Sequence, residues 1–193
     1  MTNTPKILAF AGSTREESCH KKLVKIAAAG AREAGAEVTY IDLRDFPLPL
    51  YDGDLEAAEG IPDNARKLKE LMLAHQGLLI ASPEYNSSIS GVLKNVIDWI
   101  SRPELDEPFL AVFVDKVAAI MSASPGGLGG IRGLVHLRSI LENIKVLVLP
   151  DQISISQVFQ AFNEDGTLND TTQQESVEEL GKKLASVLAK LGT

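Results

Sequence analysis

Five short apolar runs recur along the chain with amphipathic stretches between them, and this alternation limits the possible folds more than any other feature. The runs cover residues 6–11, 37–41, 77–81, 117–122 and 145–149. None shows strict apolar/polar alternation, which is the pattern of strands buried on both faces in a parallel sheet covered by helices. Helical patterns fall between them at 18–34, 64–74, 91–101, 131–142 and 172–191. In the last, Val177, Leu180, Leu184, Val187, Leu188 and Leu191 share one face at spacings of three and four. Five strands alternating with five helices predict right-handed βαβ units in an α/β doubly wound sheet, with ligands at the carboxyl ends of the strands. Segment 109–114 reads equally well as a strand or a helical turn. Segments 45–62 and 156–170, rich in Pro, Gly, Asp and Asn, read as surface loops. No repeat, low-complexity tract or linker divides the sequence, so residues 1–193 read as one domain.

Composition narrows the function classes. With 45% apolar and 23% charged residues, the chain has the balance of a packed globular protein and not of a disordered or fibrous one. Nineteen Lys and Arg against 26 Asp and Glu give a net charge of −7, which argues against nucleic acid or an anionic membrane surface as partner. A single cysteine, Cys19, leaves no internal disulfide and suits a reducing compartment. Residues 1–6 lead into an apolar run too short for a signal segment, and no run approaches the roughly 18 apolar residues that span a bilayer. A soluble, cytoplasmic protein is the expectation.

Three loops follow the first, third and fourth strands, and they are where chemistry is expected. The first, Gly12-Ser13-Thr14-Arg15-Glu16-Glu17-Ser18, runs straight into a helix. Its glycine, hydroxyls and the free N–H groups of the helix outline a phosphate cradle. It lacks the Gly-x-x-x-x-Gly-Lys-Ser/Thr pattern of nucleotide-triphosphate loops and the Gly-x-Gly-x-x-Gly dinucleotide fingerprint. Arg15, His20, Lys21 and Lys22 cluster at the helix start, where positive charge opposes the macrodipole by about 0.3–1 kcal/mol per group. A bound anion explains the cluster; solvated lysines and an ordinary Ser18 cap explain it too. Arg15 and the hydroxyls of Ser13, Thr14 and Ser18 are the better contacts, since charge-assisted hydrogen bonds contribute about 1.5–3 kcal/mol. Cys19 reads as a small buried hydrophobe.

The loop after the third strand reads Ser82-Pro83-Glu84-Tyr85-Asn86-Ser87-Ser88-Ile89-Ser90, with Ser90 placed to cap the following helix. In that helix Val92, Val96 and Trp99 form an apolar face for the core or a subunit contact. After the fourth strand, Ser124-Pro125 precedes four glycines in five residues, 126–130, which suits a backbone approaching a ligand closely or a flexible turn.

These motifs together resemble the NADPH-dependent FMN reductases of the flavodoxin-like superfamily, which include chromate and quinone reductases. The resemblance spans nearly the whole chain and rests on Pro83-Glu84-Tyr85-Asn86, Gly91-x-Leu93-Lys94-Asn95-x-Ile97-Asp98-Trp99, and Gly12-Ser13-x-Arg15-x-x-Ser18. It implies a three-layer flavodoxin-like fold with a five-stranded parallel sheet in the order 2-1-3-4-5. It also implies an FMN phosphate held by Ser13, Arg15, Ser18 and the position of His20, with Thr14 beside them. At His20 the family commonly has Asn, so protonation of the imidazole would make FMN affinity more pH-dependent. Pro83, Glu84, Tyr85, Asn86 and Ser87 would follow the edge of the flavin ring, mainly through backbone groups, and Ser124, Gly126 and Gly127 would line its other side. Tyr85 is the aromatic expected beside the ring. Aromatics make up only 5% of the chain, so a two-sided aromatic sandwich is not expected and the flavin face should be open.

The implied reaction passes hydride from NAD(P)H to FMN and then to a quinone, flavin or metal oxyanion by ping-pong turnover, with the chemistry on the flavin and no catalytic side chain. His20, His75 and His136 show no metal spacing, and His75 and His136 read as surface or interface residues. The competing reading is a flavodoxin-type electron carrier or a flavin-binding redox sensor with no substrate of its own. The family implies a homodimer or homotetramer.

Overall fold

The computed structural model describes residues 4–192, so Met1–Asn3, part of the leader weighed as a signal segment, and Thr193 lie outside it. Strands β1 (Lys6–Ala11), β2 (Glu37–Ile41), β3 (Gly77–Ala81), β6 (Val117–Ala123) and β7 (Leu147–Ile155) form one parallel sheet in the order β2-β1-β3-β6-β7. A small antiparallel hairpin, β4 (Glu84–Tyr85) and β5 (Ser88–Ile89), sits in the loop after β3. Without that hairpin the order is 2-1-3-4-5, as the alternation and the resemblance predict.

Helices cover both faces. On one side α1 (Cys19–Glu33) and α6 (Thr171–Leu191) bury Leu23, Val24, Ala27, Val177, Leu184 and Leu188 against Ile7, Ala9, Leu79 and Met121 of the strands. On the other, α3 (Asp63–Ala74), α4 (Gly91–Ile100) and α5 (Ile131–Asn143) bury Leu68, Leu93, Trp99, Leu134 and Leu137 against Leu8, Leu78, Ile80 and Ile120. Alternate residues of each central strand thus enter opposite cores, which is why none of the central strands shows a polar face.

Several expectations need correcting. Segment 45–62 contains a helix, α2 (Gly53–Glu59), started by Asp52, whose side chain accepts from the Asp54 N–H; none of its residues is buried. The last strand runs to Ile155, six residues beyond the predicted end. It is the sheet's edge, its register against β6 is interrupted between Ala118 and Ile120, and Pro150 is tolerated there because an edge strand need not donate every N–H. Segment 109–114 is a turn, with Leu110 in the left-handed region at φ 58°. Trp99 is fully buried, so it is core and not a subunit contact. Its indole N–H donates to Pro49 O (2.8 Å), and Asn95 also holds this excursion at Pro49 O and Tyr51 N. His75, read as a surface residue, is buried between Leu71 O (2.6 Å) and Thr39 Oγ1 (2.8 Å). Among the described residues no helix is long and apolar enough to cross a membrane.

Candidate functional site

Backbone hydrogen bonds continue the sheet past its strand ends and set the three loops side by side: Gly12 N to Ala81 O (2.9 Å), Ser82 N to Met121 O (2.8 Å) and Ser124 N to Ile155 O (2.9 Å). Two buried hydroxyls fasten them further. Ser90 Oγ donates to Gly12 O (2.6 Å) while accepting from Leu93 N (3.1 Å), so the cap of α4 also holds the first loop. Ser122 Oγ donates to Ser82 O (2.7 Å), and Gly130, at φ 88°, makes room for it: a Cβ there would lie 2.0 Å from that oxygen.

The first loop ends at Ser18, the N-cap of α1. Its side chain is buried but makes no cap hydrogen bond, and the first turn of α1 carries no acidic residue. The first turn of this 15-residue helix therefore supplies no counter-charge to its own positive end. Ser13 is buried at the same place and its Oγ accepts from the Arg15 N–H (3.3 Å), while Arg15 itself is exposed.

The fold divides the basic cluster of the sequence, leaving Arg15 and Lys22 along one depression and withdrawing the other two. Lys21 is buried in an ion pair with Asp42 at the end of β2, which withdraws its charge from the loop. Lys22 lies over the Phe162 ring, 5.9 Å from its centroid. His20 is buried and its Nε2 accepts from the Ala123 N–H (3.2 Å), so the neutral ring carries its proton on Nδ1, 3.4 Å from Cys19 Sγ. Burial, with the Arg15 charge nearby, lowers its pKa to about 4. In the flavin-free protein it is a neutral N–H donor across the physiological range. Burial likewise pushes the Cys19 thiol up.

Glu84 is held away from catalysis. Its Oε2 accepts from the Gly133 N–H (2.8 Å) and its Oε1 pairs with Arg132 (3.0 Å), so it supplies the cap that Gly130 cannot give α5. Burial would raise this carboxyl, but the Gly133 hydrogen bond and the Arg132 charge outweigh it and the net shift is downward. The hairpin turn beyond it is made by Asn86 and Ser87, both in the left-handed region at φ 52° and 64°, the conformation of a tight two-residue hairpin turn.

These parts enclose a cleft of about 150 Å³ lined by Ser13, Arg15, Ser18, Cys19, His20, Pro83, Glu84, Tyr85, Ala123, Ser124, Pro125, Val158 and Phe159. Eight of the residues named from the sequence are thus brought together: Ser13, Arg15, Ser18, His20, Pro83, Glu84, Tyr85 and Ser124. Thr14, Asn86, Ser87, Gly126 and Gly127 stand outside that lining. Sequence reasoning missed Val158 and Phe159, which come from the segment read as a polar excursion. The signal was there in Val158, Phe159, Ala161 and Phe162, an apolar group inside a polar loop.

A doubly wound flavodoxin-like fold with three loops gathered around one cleft at the carboxyl ends of its strands defines a class of proteins, and comparison with known proteins agrees. The family model of the NADPH-dependent FMN reductases matches residues 5–160. The NADPH:quinone oxidoreductase of Arabidopsis thaliana is 34% identical over 191 residues, covering 96% of this chain and 93% of that protein. The NAD(P)H-dependent FMN reductase of Pseudomonas aeruginosa is 36% identical over 180 residues, covering 93% and 92%. Among solved structures, the flavoenzyme NAD(P)H:(acceptor) oxidoreductase FerB of Paracoccus denitrificans superposes with a TM-score of 0.77 at 25% identity, over 97% of this chain and 98% of that one. The chain belongs to the NADPH-dependent FMN reductase family. It is accordingly a flavin oxidoreductase, with FMN as cofactor and NAD(P)H as reductant.

Proposed function

We propose that this protein, as one domain and in the cytoplasm, binds FMN with its phosphate on Ser13, Arg15, Ser18 and the Nδ1–H of His20, and reduces quinone-type acceptors by ping-pong turnover. One observation carries the reading: α1 begins with neither a side-chain cap nor an acidic residue, at the head of a cleft that all three loops share. Such an end is satisfied by an external anion. The residues fit a single phosphate group, since they offer two buried hydroxyls, one exposed guanidinium and one neutral imidazole donor. Pro83–Tyr85 and Ser124 line the same cleft, and in this reading Thr14, Asn86, Ser87, Gly126 and Gly127, which stand outside the lining, meet the flavin only once it is bound.

Bound FMN supplies the redox chemistry, taking hydride from NAD(P)H and returning it to the acceptor. The chain's own part is to bind and orient. Glu84 is committed to Arg132 and Gly133, His20 is neutral and bonded to Ala123, and the Cys19 thiol is held protonated by burial, so the cleft lining presents no poised acid or base. A cleft of about 150 Å³ is smaller than sites that enclose a drug-sized ligand, at roughly 300–1,000 Å³. That leaves one side of a ring bound there open, and the two substrates take turns on it.

Quinone as acceptor is supported by the activities named for the plant and bacterial relatives. A homodimer or homotetramer is supported by the exposed apolar side chains of Leu128, Ile131 and Val135, beside the hairpin that carries Tyr85.

The test is to load purified protein with FMN under anaerobic conditions and add NADPH, then a benzoquinone. We expect loss of the flavin's visible absorbance, its return on adding quinone, and parallel lines in double-reciprocal plots. Protein that retains no FMN, or whose bound FMN is not bleached by NADPH, overturns the reading; intersecting lines overturn its ping-pong order alone.

A further inference from the structure

We infer that Phe159 is a positioning residue for the acceptor, the wall against which a planar, apolar ring settles when it enters the cleft. The inference rests on the reading of the cleft as an FMN site. Phe159 sits on a short turn, Val158–Gln160, immediately after β7 and is 84% exposed, although it lines the cleft. The packing of its own loop does not account for it. Val158, Ala161 and Leu168 are buried in the α1/α6 core, and Phe162 packs against that core, so the loop is anchored without Phe159. The backbone is shaped to present it. Gln157, a residue with a Cβ, takes the left-handed region at φ 51°, and the Val158 N–H is tied to Ser124 O (3.1 Å), which fixes the turn against the loop after β6. A non-glycine residue held at positive φ costs free energy, and such conformations persist where surrounding structure imposes them.

Tyr85, 52% exposed, lines the same cleft, so two exposed aromatic rings meet one narrow opening, where the sequence suggested only one. Aromatic rings stack on planar π-systems and offer nothing comparable to a small hydrated anion. Phe159 therefore selects acceptors of the quinone class over compact inorganic oxidants.

The test compares wild type with Phe159→Ala and Phe159→Tyr, each loaded with FMN. Phe159→Ala is expected to raise KM for a substituted naphthoquinone about tenfold, the loss of one aromatic stacking contact. KM for ferricyanide should stay unchanged, and Phe159→Tyr should restore the quinone KM. Calorimetry with 2-naphthoate, a planar ring that accepts no electrons, should show the same loss and rescue of binding. Unchanged quinone KM and naphthoate binding overturn the inference. So does loss of FMN from Phe159→Ala, which makes the ring a cover for the cofactor, or a changed oligomeric state with unchanged KM, which makes it a subunit contact. If wild-type protein retains no FMN, the site reading has failed first.

Discussion

His20 lines the cleft with Ser13, Arg15 and Ser18, where its chemistry can be separated from that of its neighbours. In the unfolded chain its imidazole takes up a proton near pH 6.5; in the folded protein burial delays this until about pH 4. As pH falls through that interval the unfolded state binds the extra proton, so stability present above about pH 6.5 is lost progressively toward pH 4. The full loss is roughly 3 kcal/mol at about 1.36 kcal/mol per pH unit. Thermal unfolding of flavin-free protein between pH 7 and pH 4 should show this decline, and His20→Asn, which has no titrating group, should flatten it. An equal slope in both proteins would show that other groups set it. At this scale the sequence was a fair guide to types and a poor one to charge state. That Ser13, Arg15 and Ser18 share one cleft was legible because loop, hydroxyls and helix start are local. The loss of Lys21 to Asp42 and the hydrogen bond from Ala123 to His20 were not, because those partners are 21 and 103 residues away.

Between elements, Glu84 does what no residue of α5 does for itself. Removing its side chain leaves the Gly133 N–H without its carboxylate acceptor and frees the loop that carries Tyr85. Hydrogen bonds to charged groups contribute about 1.5–3 kcal/mol, so Glu84→Ala should lose stability in that range, read by urea unfolding, and bind FMN more weakly. Glu84→Gln keeps an oxygen for Gly133 and loses the ion pair, and it should fall between the two. Equal FMN affinity in all three proteins would separate the α5 cap from the cofactor site. The same carboxylate gives stability at neutral pH that is lost as pH falls through its lowered pKa. Elements were legible where burial imposes a period. β3, apolar throughout, and α6, with its single apolar face, were placed to within a residue or two. α2 packs only a half-buried Leu55 against the core and so leaves no apolar stripe to read, and the hairpin strands are two residues each, too short for any period.

For the molecule as a whole, the net charge of −7 describes a surface, while the site depends on how α1 is seated. That helix carries the proposed cradle at its N-terminus and packs along its length against α6, and two glycines set how closely. A Cβ on Gly30 would lie 2.1 Å from Glu178 O, and one on Gly181 would lie 1.9 Å from Ala27 O, so each backbone rests against a glycine of the other helix. Glycine in a helix interior ordinarily costs about 1 kcal/mol relative to alanine, and replacing it ordinarily helps. Here the sign should reverse, because the added methyl group meets backbone, which cannot rotate aside. Gly181→Ala and Gly30→Ala should each destabilise by about 3 kcal/mol or more, at the upper end of overpacking costs. Gly91→Ala, at the start of α4 with no heavy atom within 4 Å of the new Cβ, should be neutral or slightly stabilising. Urea midpoints measure all three. FMN affinity supplies the longer-range check, since forcing α6 from α1 shifts the helix that ends at Ser18: the first two variants should bind FMN more weakly even where they remain folded, and Gly91→Ala should not. Full affinity in a folded Gly181→Ala protein would mean that the cradle is held by Ser90 and the loops alone, and that α6 serves stability without reaching the site.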